Sequence, residues 1–396
     1  MENRFIKYLI MAFVVLAHSV SASADSIPSG FSLPLDWRVG IEASPALVPQ
    51  TNSYLKGINR NDKSINRSFS GAIRADFSFS PYSRYGMLYR GAYQGVGLSV
   101  RTFFANELLG TPISAYVYQG APIAHFGSKL WLGYEWEFGA AFGWKHYNKD
   151  DPDENAAVST SVTAHMGVSL KLHYRLARRW QMSLGVGATH FSNGNTSQPN
   201  AGVNSLGASI GLAYLLNEPD DVRIVDGGLE AVADRPEWFY DIIAYGAWRK
   251  RIVSIYDSPT LCSGRFGVAG LQFAPMRKFN RWLSAGVSLD MQYDESAGLD
   301  KYWVDGSSGD NVKFYRPPFS KQISVGLSAH AEFTMPIFAI NAGLGYDMLN
   351  PEGEKRLYQM LTLKTFVSDR LFLNVGYRLG DFKEPQNLML GIGVRL

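Results

Sequence analysis

Residues 180–192 read Trp180-Gln181-Met182-Ser183-Leu184-Gly185-Val186-Gly187-Ala188-Thr189-His190-Phe191-Ser192. After a polar stretch, residues 204–214 read Asn204-Ser205-Leu206-Gly207-Ala208-Ser209-Ile210-Gly211-Leu212-Ala213-Tyr214. In both runs the large apolar side chains sit on even numbers, facing glycine or polar residues on odd ones. Successive side chains of a strand point to opposite faces, so one parity is one face of a sheet. His190, Ser192 and Asn204 are even, and therefore project from the greasy face. A nucleophile and a base on an apolar surface point to an enzyme whose substrate is itself a lipid.

The same alternation runs through the rest of the chain. Val162, Ala164, Met166, Val168, Leu170 and Leu172 oppose Thr163, His165, Ser169, Lys171 and His173. Ile323, Val325, Leu327, Ala329 and Ala331 oppose Ser324, Ser328, His330 and Glu332. One apolar face and one polar or glycine face is the pattern of a membrane barrel, with lipid outside and a wet lumen inside. Strands are expected near 35–45, 68–80, 94–105, 112–120, 129–145, 158–174, 179–192 and 202–216. Eight more are expected near 239–250, 262–274, 281–294, 320–335, 337–347, 356–367, 370–379 and 386–396. The fold class is all-β: an antiparallel transmembrane β-barrel, as a single barrel of about 14–16 strands or, alternatively, as two eight-stranded halves. Short turns should follow even strands and longer loops odd ones. The stretch 217–238 is long where a short turn is expected, and it marks the border of the two-half alternative.

Composition agrees. Aromatic residues make up 13% of the chain, glycine occurs 39 times and only 18% of residues are charged. The net charge of +3 is too small to argue for a nucleic-acid partner. Arg4 and Lys7, the apolar run from Tyr8 to Ala17 and Ala22-Ser23-Ala24 have the form of an export signal over residues 1–24. The barrel is then expected to occupy residues 25–396 as an integral protein of a bacterial outer membrane. Cys262 is the single cysteine, which excludes an intrachain disulfide. The sequence implies no cofactor and no metal site.

Serine Oγ becomes a nucleophile when a neighbouring base takes its proton. Same-face residues two apart on a strand lie roughly 6–7 Å apart at Cα, a spacing from which an imidazole nitrogen reaches the hydroxyl. A third group must hold the imidazole in one tautomer, and the Asn204 carbonyl, across the hairpin on the same face, is placed to do so. The plainer alternative is a polar turn at the membrane interface, for which Asn193-Gly194 is an ordinary signal.

The run His190-x-Ser192-Asn193, followed by Pro199-Asn200-x-Gly202, resembles the PagL family of outer-membrane lipid A deacylases. The resemblance lies between Gly185 and Gly211, in a PagL-like portion within about 35–216. It implies hydrolysis of an acyl ester of lipid A, with lipopolysaccharide as substrate and His190 and Ser192 as base and nucleophile. It further implies that Asn193 and Asn200 shape the site and its oxyanion hole, and that Gly202 is the glycine at the base of the loop. Where the family pattern carries glutamate, this chain has Asn204, a neutral amide. Two alternatives remain: a non-catalytic lipopolysaccharide-binding barrel, and a passive pore. The Gly207-x-Ser209-x-Gly211 match to a nucleophile elbow needs a strand-to-helix turn, and here it falls inside a continuous strand.

Overall fold

A computed structural model describes residues 35–80, 84–148, 155–216, 237–255, 258–262, 264–304, 313–350, 355–382 and 384–396. The export signal expected over residues 1–24 lies outside the described residues. The chain divides into two compact units, each built on its own closed barrel.

The first barrel comprises β1 (Leu35–Leu47), β2 (Arg67–Phe79), β3 (Tyr93–Thr102), β4 (Gly110–His125), β5 (Leu130–Trp144), β6 (Val162–Arg175), β7 (Trp180–Ser192) and β8 (Val203–Leu215). Each strand pairs antiparallel with the next, and β8 closes on β1 with Ile41 opposite Leu212 and Ala43 opposite Ile210. The second barrel comprises β9 (Glu237–Arg249), β12 (Phe266–Lys278), β13 (Leu283–Asp294), β14 (Ile323–Thr334), β15 (Phe338–Leu349), β16 (Leu357–Phe366), β17 (Leu371–Gly380) and β18 (Glu384–Arg395). It closes through β18 on β9, with Ile392 opposite Ala244. A small hairpin, β10 (Ile252–Ile255) and β11 (Ser258–Leu261), follows β9.

The sixteen expected wall strands all form, within a few residues of their expected bounds. They close as two barrels rather than as one of about 14–16, so the two-half alternative is the architecture. Closure removes the unpaired edges that a sheet otherwise presents. Eight strands suffice once β8 meets β1, and nothing in the alternation of a strand says which edge it will find.

The outward faces carry the apolar parity. Val168, Leu170, Leu184, Val186, Leu206 and Ile210 are exposed on the first barrel, and Leu271, Val287, Leu327, Leu344 and Ile392 on the second. The lumens are polar and crossed by ion pairs. In the first barrel, Arg74 and Lys171 each bridge Glu42 and Glu135, at 2.5–2.7 Å. In the second, Lys364 and Arg395 each bridge Asp241 and Glu332, at 2.5–2.8 Å. Each square holds two acids and two bases, so the buried charges compensate. The expected lumen histidines belong to this polar filling: His165 meets Glu137 at 3.1 Å, and His330 bonds Ser328 and Asn341. Two tryptophans of β5 have polar neighbours. Trp136 is buried and donates to Gln119 Oε1, while Trp131 stacks on the lumen residue His173.

In the first barrel, the described residues of the connections after odd strands (48–66, 103–109, 145–148 with 155–161, and 193–202) gather at one end. The connections 126–129 and 176–179 at the other end are tight, and only 80–92 there is longer, with a short helix at Arg84–Tyr89. The gathered loops share an apolar core that includes Tyr54, Leu55, Leu108, Trp144, Val158, Phe191 and Val203. Phe191 and Val203 lie directly beside the residues of interest, so this cap anchors the hairpin end that bears them.

Candidate active site

His190 lies two residues from the end of β7, and Ser192 ends it. Asn204 lies at the start of β8, where it is the register partner of His190. All three keep the outward parity read from the sequence. The His190 Nδ1 to Asn204 Oδ1 distance is 2.7 Å. An amide oxygen only accepts, so Nδ1 carries the proton and Nε2 keeps its lone pair. An amide that turned its NH2 to the ring would hold the opposite tautomer, which is useless for a base. Asn204 thus fixes the imidazole as glutamate would, without the negative charge that stabilises imidazolium. No hydrogen bond joins His190 to Ser192 among the described residues, and such contacts are often long before substrate binds.

Gly202 faces the ring. Its φ is +72°, and a Cβ built there would lie 3.0 Å from His190 Cε1 and 3.0 Å from the Phe191 carbonyl oxygen. Glycine at this position serves both the left-handed backbone and the close approach of the imidazole.

The loop between the strands is tied down by polar contacts. The Asn193 backbone N–H donates to Asn200 Oδ1 at 3.1 Å, and the Asn193 side-chain amide donates to Ser159 Oγ at 2.9 Å. Both of these donors of Asn193 therefore serve the loop. Asn200 keeps its own NH2 without a partner among the described residues, beside the peptide that follows Ser192. Ala201 and Gly202 donate backbone N–H groups to Ala156 and Ala157 carbonyls in the β5–β6 connection. Asn155 stiffens that connection, accepting from the Ala157 and Val158 N–H groups. Ser159 carried no signal in the sequence, because its partner Asn193 lies 34 residues away. Ser209 lines a small polar cavity in the lumen, so the Gly-x-Ser-x-Gly match faces away from this site.

The fold and the face define a class: an integral barrel of the outer membrane that brings a histidine, a serine and an asparagine together on lipid-facing parity at one strand end. Residues 37–213 match the family model described as lipid A 3-O-deacylase (PagL), and residues 238–396 match the model described as acyloxyacyl hydrolase, C-terminal domain. The chain belongs to the PagL family of outer-membrane lipid A deacylases. Both halves thus carry a family signature, where the motif reading had covered the first alone. The solved structures similar to this chain include the outer-membrane enzyme PagL, at 15% identity over 43% of this chain and 97% of that one, with a TM-score of 0.31. They also include the siderophore receptor PirA from Acinetobacter baumannii, at 8% identity over 88% of this chain and 68% of that one, with a TM-score of 0.22. The NanC porin is similar at 6% identity over 91% and 97%, with a TM-score of 0.16. Among curated proteins no relative matches.

Proposed function

We propose that this protein hydrolyses an acyl ester of lipid A at the lipid-facing outer rim of its first barrel by a serine–histidine mechanism. Ser192 Oγ attacks the ester carbonyl as His190 Nε2 takes its proton. The tetrahedral intermediate collapses, and the leaving alkoxide recovers that proton from His190. Water, deprotonated by the same nitrogen, then attacks the acyl-serine and releases the fatty acid. Asn204 holds the ring through Nδ1. Asn200 is the better oxyanion donor, because its NH2 is uncommitted while the Asn193 N–H is spent on Asn200 Oδ1. Asn193 and Gly202 then shape the site rather than touch the reacting atoms.

The observation that carries this reading is the 2.7 Å contact between His190 Nδ1 and Asn204 Oδ1, which leaves a basic Nε2 two residues from a serine on the apolar face. Unpaired polar groups in that position cost several kcal/mol in hydrocarbon, so their presence argues for a role. The pore alternative is disfavoured by the two charge-compensated squares that cross the lumens. The test is mass spectrometry of lipid A from cells expressing the wild type or Ser192→Ala. Loss of one acyl chain with the wild type alone is expected, and identical lipid A in both sinks the proposal. Binding of lipopolysaccharide without acyl release would identify the non-catalytic alternative.

A further inference from the structure

The loops gathered at one end of the first barrel enclose a cavity of about 390 Å³. Tyr54, Leu108 and Trp144 are the buried part of its lining, and Arg60, Lys145 and His146 are exposed at its rim. Cavities of this size hold small ligands, whereas the polar one lined by Ser209, at about 60 Å³, has room for a few waters.

The charges at the rim are brought together by the helical turn Asn106–Leu109. The Glu107 carbonyl oxygen accepts from Arg60 Nη2 and also from Lys145 Nζ, the latter at 2.9 Å, so two cationic heads stand side by side. The Glu107 carboxylate turns to other partners: Oε1 accepts from Asn61 Nδ2 at 3.1 Å and lies 3.7 Å from Lys63 Nζ. Lys145 Nζ meets no carboxylate among the described residues. One neutral carbonyl does not balance two full charges, and an anion placed between them would. The backbone that carries these groups is held: the Lys145 N–H donates to the Leu109 carbonyl at 3.1 Å and the Tyr147 N–H to the Val158 carbonyl at 2.8 Å. Asn155 Nδ2 donates to the Lys145 carbonyl at 2.8 Å. A site fixed before its ligand arrives loses less on binding.

The cavity is separate from the ester site. Trp144 packs on Phe191 with ring centroids 5.2 Å apart, and Phe191 points inward between His190 and Ser192, which point outward. The cavity is thus reached through the loops, and the histidine and serine from the barrel wall.

We propose that this cavity is a second binding site, for a phosphorylated sugar, with Arg60 and Lys145 holding the phosphate. Guanidinium offers a planar fork and ammonium a point charge, and phosphate oxygens accept from both. Hydroxyl groups donate and accept, as do the Tyr147 phenol and the neutral His146 imidazole beside the cations, so a polyhydroxylated body suits the rest of the rim. The inference does not rest on the esterase reading, because binding is measured without acyl release.

The test is calorimetric titration of full-length Ser192→Ala protein in detergent micelles with glucose 1-phosphate. A ligand of about sixteen heavy atoms at ordinary ligand efficiency gives a Kd on the order of 0.1–1 mM. Glucose and inorganic phosphate should each bind at least about tenfold more weakly, since each makes only part of the contacts. Lys145→Glu and Arg60→Gln change exposed side chains, which the fold tolerates, and each should weaken binding about tenfold or more. Lys129→Glu alters the net charge as Lys145→Glu does, but in the 126–129 turn at the opposite end, and should stay within about twofold. No saturation by about 10 mM glucose 1-phosphate overturns the site. So does equal loss in Lys145→Glu and Lys129→Glu, unchanged affinity in Lys145→Glu, or glucose or phosphate alone binding as tightly.

Lipopolysaccharide micelles added as competitor separate the two sources of this chemistry. Displacement of glucose 1-phosphate assigns the site to phosphorylated sugars of the lipid headgroup, and its absence to free sugar phosphate, with the site upheld in both. Failure of the wild type to release acyl chains would sink the esterase reading and leave this site standing.

Discussion

Replacing Gly202 by alanine tests the geometry around His190 at a residue that does no chemistry. The backbone there has φ +72°, a region where a non-glycine residue costs about 1–2 kcal/mol. The added Cβ meets His190 Cε1 and the Phe191 carbonyl oxygen, both at 3.0 Å. The carbonyl belongs to the last paired turn of β7 and holds its place, because Phe191 is fully buried in the cap. The imidazole is the partner that yields, at about 0.5–1.5 kcal/mol for a ring pushed off its rotamer. The total is about 2–3 kcal/mol of stability. More tellingly, Nε2 moves a few tenths of an ångström from its line to Ser192. Since a misplacement of about 1 Å can cost a hundredfold in rate, a loss on the order of tenfold is expected.

Gly127 supplies the control. It has φ +84° in the β4–β5 turn, and a Cβ there meets nothing within 4 Å. Gly127→Ala therefore carries the backbone strain alone. Heat-dependent mobility on gels reads the stability of each variant, and timed acyl release from lipid A reads its rate. Both variants should lose stability, and only Gly202→Ala should lose rate beyond it. Wild-type turnover in Gly202→Ala, or equal rate losses in the two, refutes the placement of the ring.

Asn204→Ala removes the acceptor at His190 Nδ1 and should lower acyl release about a hundredfold, whereas Asn204→Glu should raise it roughly five- to tenfold through a charge-assisted bond to imidazolium. Rates compared with wild type decide both, and a glutamate variant slower than wild type shows that the added methylene displaces the ring. Glu332→Ala leaves Lys364 and Arg395 facing Asp241 alone, an excess buried positive charge that should cost about 3–5 kcal/mol in denaturant unfolding of the second barrel. An unchanged unfolding midpoint would mean that the square does not hold the lumen. Burial pushes the Cys262 thiol up to about 11, so at pH 8 it is thiolate in only about one molecule in a thousand. It should resist a thiol reagent at pH 8 in the folded barrel and react on unfolding, and rapid labelling of the native protein would contradict its burial.

The strands were legible because alternation is local. Each residue from Trp180 to Ala188 reports its face through its two neighbours, and the lumen position of Lys171, His173 and Glu332 follows by the same rule. The parity of His190, Ser192 and Asn204 was legible for that reason too. The clamp on their loop was not. Ser159 reaches Asn193 from another connection, and a serine in a polar loop looks like any other until the two are brought together. Trp131 shows the limit from the other side, since its aromatic character suits a membrane interface while its odd position puts it against His173 in the lumen.

By itself, the sequence determined that this protein is a membrane barrel with polar chemistry on its apolar face, because strand parity is set by backbone geometry residue by residue. It determined which three side chains share that face, and through the run His190 to Gly202 the family to which they belong. Only the tertiary structure decided that β8 closes on β1, since every strand edge offers the same N–H and C=O groups and register alone selects among them. Register also decided that His190 stands level with Asn204, and the gathering of the loops brought Arg60 and Lys145 to one carbonyl oxygen. Those last two residues are far apart in the chain, and only a closed barrel sets their loops side by side.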